Sequence, residues 1–245
     1  MAVESAVLND LAPSGELVAA LNLGNPVLVQ TDPASREPRG VSVDLATELG
    51  RRLGVPVRFA PFDTAGKVTD GASTGAWNLA FLAIDPKRAE EIAFTSPYVI
   101  IEGAYLVPKD SPLRAIDDVD REGVRIAVGH KTAYDLYLTR EIKRATLVRA
   151  PSSQAALDLF LADTLDVAAG VRQPLIRFAA ERSDVRVMDG RFMTIQQALA
   201  VPKGRERGRD YLQSFIEEVK ASGFVGAALE RSGQGDAQVA PPGSG

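Results

Sequence analysis

The sequence has no cysteine and a single histidine. Disulfides, thiolate nucleophiles and cysteine-ligated zinc or iron–sulfur centres are thereby excluded, and either redox compartment is tolerated. No stretch approaches the roughly 18 uninterrupted apolar residues of a bilayer span, so no membrane insertion is expected. The 28 basic residues form no run and are outnumbered by 32 acidic ones, for a net charge of −4. A phosphate-backbone partner needs the opposite balance, and no nucleic acid is expected. No metal-spaced cluster, no phosphate-binding glycine loop and no Ser–His–Asp arrangement is visible, so neither metal nor cofactor is expected and no catalytic residue is assigned. The start, Met1-Ala2-Val3-Glu4-Ser5, shows no basic segment followed by an apolar run, and Asn9-Asp10 interrupts the nearest apolar stretch. As written, a cytoplasmic location is expected; a periplasmic one is the alternative if a leader has been removed.

What is present fits an ordinary globular protein, with 45% hydrophobic and 24% charged residues. At 245 residues, two lobes or one large α/β domain are the natural solutions. Leu17 to Leu23 reads as a buried strand ending in the turn signal Gly24-Asn25-Pro26. Val41 to Leu53 carries apolar residues at Val43, Leu45, Ala46, Leu49 and Leu53, the spacing of an amphipathic helix, and Gly54 stops it. Val55 to Phe59 reads as a strand, Thr64 to Thr74 as a short helix, and Trp77 to Ala83 as a buried strand. Such alternation predicts a parallel sheet with helices on both faces and a ligand crevice at the carboxyl ends of the strands. From Gly123 the pattern restarts, with strands at Val124–Val128, Thr146–Val148, Leu165–Ala169 and Val185–Val187 and helices at Thr132–Lys143, Ser152–Ala162 and Gln173–Ala180. Gln197–Val201 reads as a returning strand and Asp210–Lys220 and Phe224–Leu229 as helices. Residues 233–245, rich in Gly and Pro, read as a disordered tail.

Three stretches in register resemble the family 3 extracellular solute-binding proteins of ABC transporters. They are Gly40-Val41-Ser42-Val43-Asp44-Leu45-Ala46 through Leu53-Gly54, Asp85-Pro86-Lys87-Arg88-Ala89-Glu90 running into Phe94-Thr95-Ser96-Pro97-Tyr98, and Ala200-Val201-Pro202-Lys203-Gly204. The resemblance implies an α/β, two-lobed, periplasmic-binding-protein-like (type II) venus-flytrap fold with two hinge crossings, near Glu102–Val107 and Arg191–Gln197. Lobe one is then 1–104 plus 195–245 and lobe two 105–194. It also implies a monomer that clamps a small ligand by hinge closure, with an ABC-transporter permease as partner.

By that resemblance Arg88 stands where the family binds the ligand carboxylate, a task suited to a planar guanidinium fork; a surface arginine paired with Glu90 or Glu91 is the plainer alternative. The rest of the pocket departs from the amino-acid pattern. Phe81 and Ala83 replace the usual Gly and Thr, and Phe81 is either a pocket wall or core. The usual aromatic sandwich is missing, with Asn25 and Thr64 at its positions and Phe62 nearby. Asn22 and Asn25 become polar pocket candidates, although Asn25 before Pro26 is equally a turn residue. In Asp166–Pro174 the acidic partner for a ligand ammonium is absent, and Arg172 and Gln173 stand there instead. An unpaired ammonium is costly to bury and a second cation favours a second acid, so a di-, hydroxy- or keto-acid is expected rather than a plain α-amino acid. A solvated arginine at a helix start is the alternative for Arg172, and Glu102 could take the ammonium role. In lobe two, Gly129-His130-Lys131-Thr132-Ala133-Tyr134 joins a strand to a helix, and its amides, with Lys131, Thr132 and Ala133, are candidates to face an anion. His130 is a further candidate donor or an uninvolved loop residue.

Three functional classes follow: a binding protein for transport or, without export, a cytoplasmic sensor or carrier; a cyclohexadienyl dehydratase-like enzyme using Glu102 with a raised pKa as its acid; and an interaction protein with a vestigial cleft.

Overall fold

Turn residues punctuate the chain where the strands end, and the computed structural model shows what lies between them; it describes residues 3–243. The chain forms two compact units, Met1–Ile100 with Gln196–Gly245, and Ile101–Ile195. The first passage between them falls at 100/101 rather than at 104/105, because it lies inside one uninterrupted strand whose periodicity carries no boundary signal. Among the described residues, no helix is long and apolar enough to cross a membrane.

Unit 1 opens with α1 (Ser5–Leu11), a helix that the sequence reading did not anticipate. It buries Val7 and Leu11, and Asp10 accepts the Gly208 N–H at 2.8 Å. After β1 (Leu17–Asn22) and a small hairpin of β2 (Gln30–Thr31) and β3 (Pro38–Arg39) comes α2 (Val41–Leu53). Leu45, Ala46, Leu49 and Leu53 of the expected stripe are buried, whereas Val43 is only partly so and Val41 is buried in its stead; the helix ends at Gly54, whose φ of 70° suits a residue without Cβ. Then follow β4 (Val57–Phe62), α3 (Ala65–Asp70) and β5 (Leu79–Ala83). Trp77 is buried between α3 and β5 and donates from Nε1 to Val68 O at 2.8 Å.

β1 pairs in parallel with both β4 and β5, as the alternation predicts. The next neighbour of β5 is β11 (Met193–Pro202), which runs antiparallel because it returns from late in the chain. Its neighbour is β6 (Ile92–Pro108), the strand that runs from unit 1 into unit 2. α7 (Glu206–Ala221) and α8 (Phe224–Arg231) complete unit 1, α7 burying Leu212, Phe215, Ile216 and Val219.

The segment expected as a disordered tail is ordered as far as residue 243. β12 (Gln238–Val239) pairs with Val99 and Ile100 of β6, Lys220 Nζ donates to Pro97 O and Pro241 O, and Gly243 N donates to Glu217. Glycine and proline around β12 hide any side-chain periodicity, but the strand itself contains neither and keeps the N–H groups that pairing needs. Residues 244 and 245 lie outside the described residues.

Unit 2 contains β7 (Arg125–Gly129), α4 (Ala133–Glu141), β8 (Thr146–Ala150), α5 (Ser153–Ala162), β9 (Val167–Val171), α6 (Arg172–Ala180) and β10 (Val185–Val187). Its sheet runs β6-β9-β7-β8, with β7 parallel to β8 and β9 and β6 antiparallel to β9. Ala127 and Ala168 face a core with Leu157, Phe160 and Leu175, while Ile126, Val128, Val167 and Ala169 face Tyr134 and Leu138. Burial on both faces is why these strands read as unbroken apolar runs.

Candidate functional site

In a parallel sheet whose central strand has a parallel partner on each side, connections leave in opposite directions, and the loops at the carboxyl ends diverge to leave room for a ligand. Both units have this arrangement. In unit 1 the strands are β4-β1-β5, and in unit 2 they are β9-β7-β8. The candidate residues read from the sequence fall at these two edges, apart from Phe81 and Glu102, which lie within strands.

At the unit 1 edge, Asn22 ends β1, Phe62 ends β4, Ala83 ends β5, and Asn25, Thr64 and Arg88 lie just beyond. Asn22 Oδ1 accepts the Gly24 N–H at 3.1 Å and Asn25 Oδ1 accepts the Val27 N–H at 3.3 Å, so both serve the turn. Thr64 caps α3, accepting the Lys67 N–H at 3.3 Å. Phe62 packs beside the Trp77 cluster. Phe81 is core: it is buried and meets the Tyr98 ring edge-on at 6.1 Å. Strand alternation turns it away from Ala80 and Leu82, which join the Trp77 cluster instead.

Arg88 is 2% exposed, and its Nη1 donates to Ala83 O at 3.0 Å. A surface arginine paired with Glu90 is therefore not what the fold makes of it; Glu90 pairs with Lys87 at 2.6 Å. Burial lowers the guanidinium's pKa to about 10, against the opposing attraction of Asp85. Leu23 and Ile84, next after β1 and β5, are unusual in being large apolar side chains left exposed. The sequence reading passed over both; their place at strand ends was the available signal.

At the unit 2 edge, the loop after β7 is held by its own side chains. Thr132 caps α4, accepting the Asp135 N–H at 3.1 Å and donating to Gly129 O at 2.8 Å. The buried Asp135 carboxylate accepts the Lys131 N–H at 2.8 Å and Arg149 Nε at 2.9 Å. This bond holds Lys131 in the left-handed region at φ 57°, which is strained for a residue with Cβ. His130 is exposed, with Nδ1 3.8 Å from Asp135, its amide donates to Ala150 O, and Ala133 begins the helix. The loop that was expected to offer its amides to an outside anion thus already carries an internal one. The Thr132-x-x-Asp135 spacing is a capping signature that could have revealed it.

Across the same edge, Gly103 pairs with Val171, so antiparallel register sets Glu102 beside Arg172. Arg172 Nε meets Glu102 Oε2 at 2.7 Å, and Arg191 Nη1 meets Oε1 at 2.8 Å. Arg172 also donates to Gly190 O. Arg172 is therefore not the solvated helix-start residue of the alternative reading, nor is Glu102 an acid of raised pKa. Burial raises its pKa, but the hydrogen bonds from Arg172 and Arg191 outweigh that and hold it below the usual range. Gln173, next along α6, has a buried Oε1 with no hydrogen-bond donor. Among the described residues, no group of three His, Asp or Glu side chains converges as a metal site.

The model of the bacterial extracellular solute-binding proteins, family 3, matches residues 18–233. The chain belongs to this family. A curated relative, the amino-acid-binding protein AabA of Dichelobacter nodosus, is 20% identical over 211 residues, covering 85% of this chain and 79% of its own. Among solved structures, a mutant of ArgBP from T. maritima has a TM-score of 0.78 at 23% identity, with 92% of this chain and 98% of that one covered. An amino acid ABC transporter substrate-binding protein from Streptococcus pneumoniae, bound to L-arginine, also scores 0.78, at 19% identity, with 97% and 100% covered. The fold is the two-lobed periplasmic-binding-protein-like α/β fold, and the chain is a solute-binding protein.

Proposed function

We propose that this solute-binding protein reversibly binds a small solute through its carboxylate, with Arg88 as the anion-binding group. One observation carries the reading: a buried guanidinium at the carboxyl edge of the unit 1 sheet, its charge disfavoured by burial. An incoming carboxylate would restore the favourable surroundings of that charge through charge-assisted hydrogen bonds. The names of the relatives make amino acids the first class to test. The expectation of a dicarboxylate loses its basis, because Arg172, the cation that suggested a second acid, is already paired with Glu102.

A second reading, a hydroxy acid, rests on Gln173. Its buried Oε1 acceptor follows Arg172 at the start of α6, and it suits an α-substituent that donates a hydrogen bond. A hydroxyl does this without the cost of burying a charge. The dehydratase reading has lost its protonated glutamate, and prephenate turnover tests it directly. In transport, the partner of the monomer would be an ABC-transporter permease.

The deciding experiment is a thermal-shift screen of amino, hydroxy, keto and dicarboxylic acids on the wild type and Arg88→Met. Ligand at 100 times its Kd adds about 2.7 kcal/mol of stability. Stabilisation of the wild type by at least one class, absent in Arg88→Met, is expected; equal shifts in both proteins would refute the role of Arg88.

A further inference from the structure

The turn that follows β5 buries an acid as well as the arginine. Asp85 is 3% exposed and Arg88 2%, and both lie within unit 1. Asp85 Oδ1 accepts the Lys87 N–H at 2.8 Å and its backbone carbonyl accepts the Ala89 N–H at 2.9 Å, so the carboxylate is tied to its own turn. Arg88 Nη1 donates to Ala83 O at 3.0 Å, at the end of β5. The other charged residues of the turn are at the surface: Lys87 and Glu90 pair with each other at 2.6 Å, and Glu91 is exposed. Burying a guanidinium costs free energy that an opposite charge in the same low-dielectric surroundings offsets. Burial lowers the pKa of Arg88, and the attraction of Asp85 works against that fall.

We infer that Asp85 is the resident counter-charge of Arg88, a positioning residue that acts through the arginine and sets how tightly unit 1 holds a ligand carboxylate. The inference rests on the carboxylate reading above. In the empty protein Asp85 keeps the buried guanidinium charged. In the occupied one, the incoming carboxylate shares that guanidinium with an acid already present, and the like charge opposes part of the attraction. Affinity is thereby lowered and release made easier, as reversible binding requires. A carboxamide at position 85 keeps an acceptor for the Lys87 N–H and removes the charge, so the charge of Asp85 can be separated from its part in the turn.

The test titrates L-alanine, L-arginine and L-lactate calorimetrically at neutral pH into wild type, Asp85→Asn, Asp85→Ser, Arg88→Met and the Asp85→Asn/Arg88→Met double variant. Whichever probe binds wild type should bind Asp85→Asn at least about threefold more tightly, since a like charge has gone. Asp85→Ser, whose hydroxyl also accepts from a backbone N–H two residues on, should do the same and serves if Asp85→Asn does not fold. The gain should be absent in the Arg88→Met background. A purely structural role predicts weaker binding instead. The second readout needs no ligand: the 15N signal of Arg88 Nε, followed against pH, should titrate about one pH unit lower in Asp85→Asn than in wild type.

Unchanged or weaker binding in the folded variants, a gain that persists without Arg88, or an unmoved titration of Arg88 overturns the inference. Failure of all three probes to bind wild type, or equal binding by Arg88→Met, overturns the carboxylate reading and the inference with it. Binding that Arg88→Met abolishes and Asp85→Asn leaves unmoved overturns the role of Asp85 alone.

Discussion

The two sheet edges solve the same topological problem with arginines buried to different depths. At the unit 1 edge one arginine is buried, donating to a backbone carbonyl and attracted by the charge of Asp85, beside turn-forming asparagines and the exposed apolar side chains of Leu23 and Ile84. At the unit 2 edge the arginines are held by carboxylates of the same unit, Arg149 by Asp135 and Arg172 with Arg191 by Glu102. The charge of a buried arginine is disfavoured by desolvation, whereas the charges of the more exposed arginines of unit 2 are met by carboxylates. The contrast is one of burial, and it singles out Arg88 as the charge proposed to meet a ligand carboxylate.

The sharpest break would come from exchanging the roles of the edges. Arg88→Met should weaken carboxylate binding by about 100-fold or more, the scale of truncating one partner of a buried charge pair. Arg172→Met should change monocarboxylate binding by less than about threefold. Equal effects in calorimetry would erase the distinction. The same arginine predicts a pH dependence. Its pKa in the free protein is lowered to about 10 and a bound carboxylate would raise it, so binding above that pH takes up a proton. Affinity should be flat below about pH 9 and fall about tenfold per unit above 10, with proton uptake visible as a buffer-dependent enthalpy.

Each edge also has a glycine pressed against the neighbouring loop. A Cβ on Gly129 would lie 2.8 Å from Ser153 N, and one on Gly24 would lie 2.8 Å from Asp63 O. Both contacts are with backbone, which cannot swing aside. Gly129→Ala and Gly24→Ala should each cost about 1–3 kcal/mol in denaturant unfolding. If only one does, the two edges are not built alike. Thr132→Ala removes the cap of α4 and should cost about 1 kcal/mol, with a smaller effect on affinity than Arg88→Met.

The smallest effect is a control away from both edges. Glu48, in α2, is hydrogen-bonded by Arg51 and Arg52 and its pKa is lowered to about 2 from 4.5. Its contribution is present above pH 4.5 and is lost as pH falls through 2. Glu48→Gln should cost under about 1 kcal/mol at neutral pH, leave affinity untouched and flatten acid unfolding in that window.

Much of the fold was legible because it rests on local pattern. The stripe of α2, the Gly54 stop and the doubly buried strands of unit 2 follow from spacing alone. The motif around Arg88 made its position after β5 legible, though not its burial. The Glu102 pair was not, because Glu102 and Arg172 are 70 residues apart in sequence and meet through strand register. The run of β6 was missed because Thr95-Ser96-Pro97 looks like a loop, yet Thr95 Oγ1 accepts the Leu199 N–H at 3.2 Å from the neighbouring β11. β12 was missed because a backbone ladder needs no side-chain pattern.

The chain's division also permits an order of assembly during synthesis. Unit 2 is one uninterrupted stretch, Ile101–Ile195, whereas unit 1 takes its last strands and helices from Gln196–Gly245. A chain emerging from its N-terminus can complete unit 2 while β5 still waits for β11 and β6 for β12. Until β11 and β12 have been made, unit 1 carries strand edges without those partners, and open edges invite mispairing.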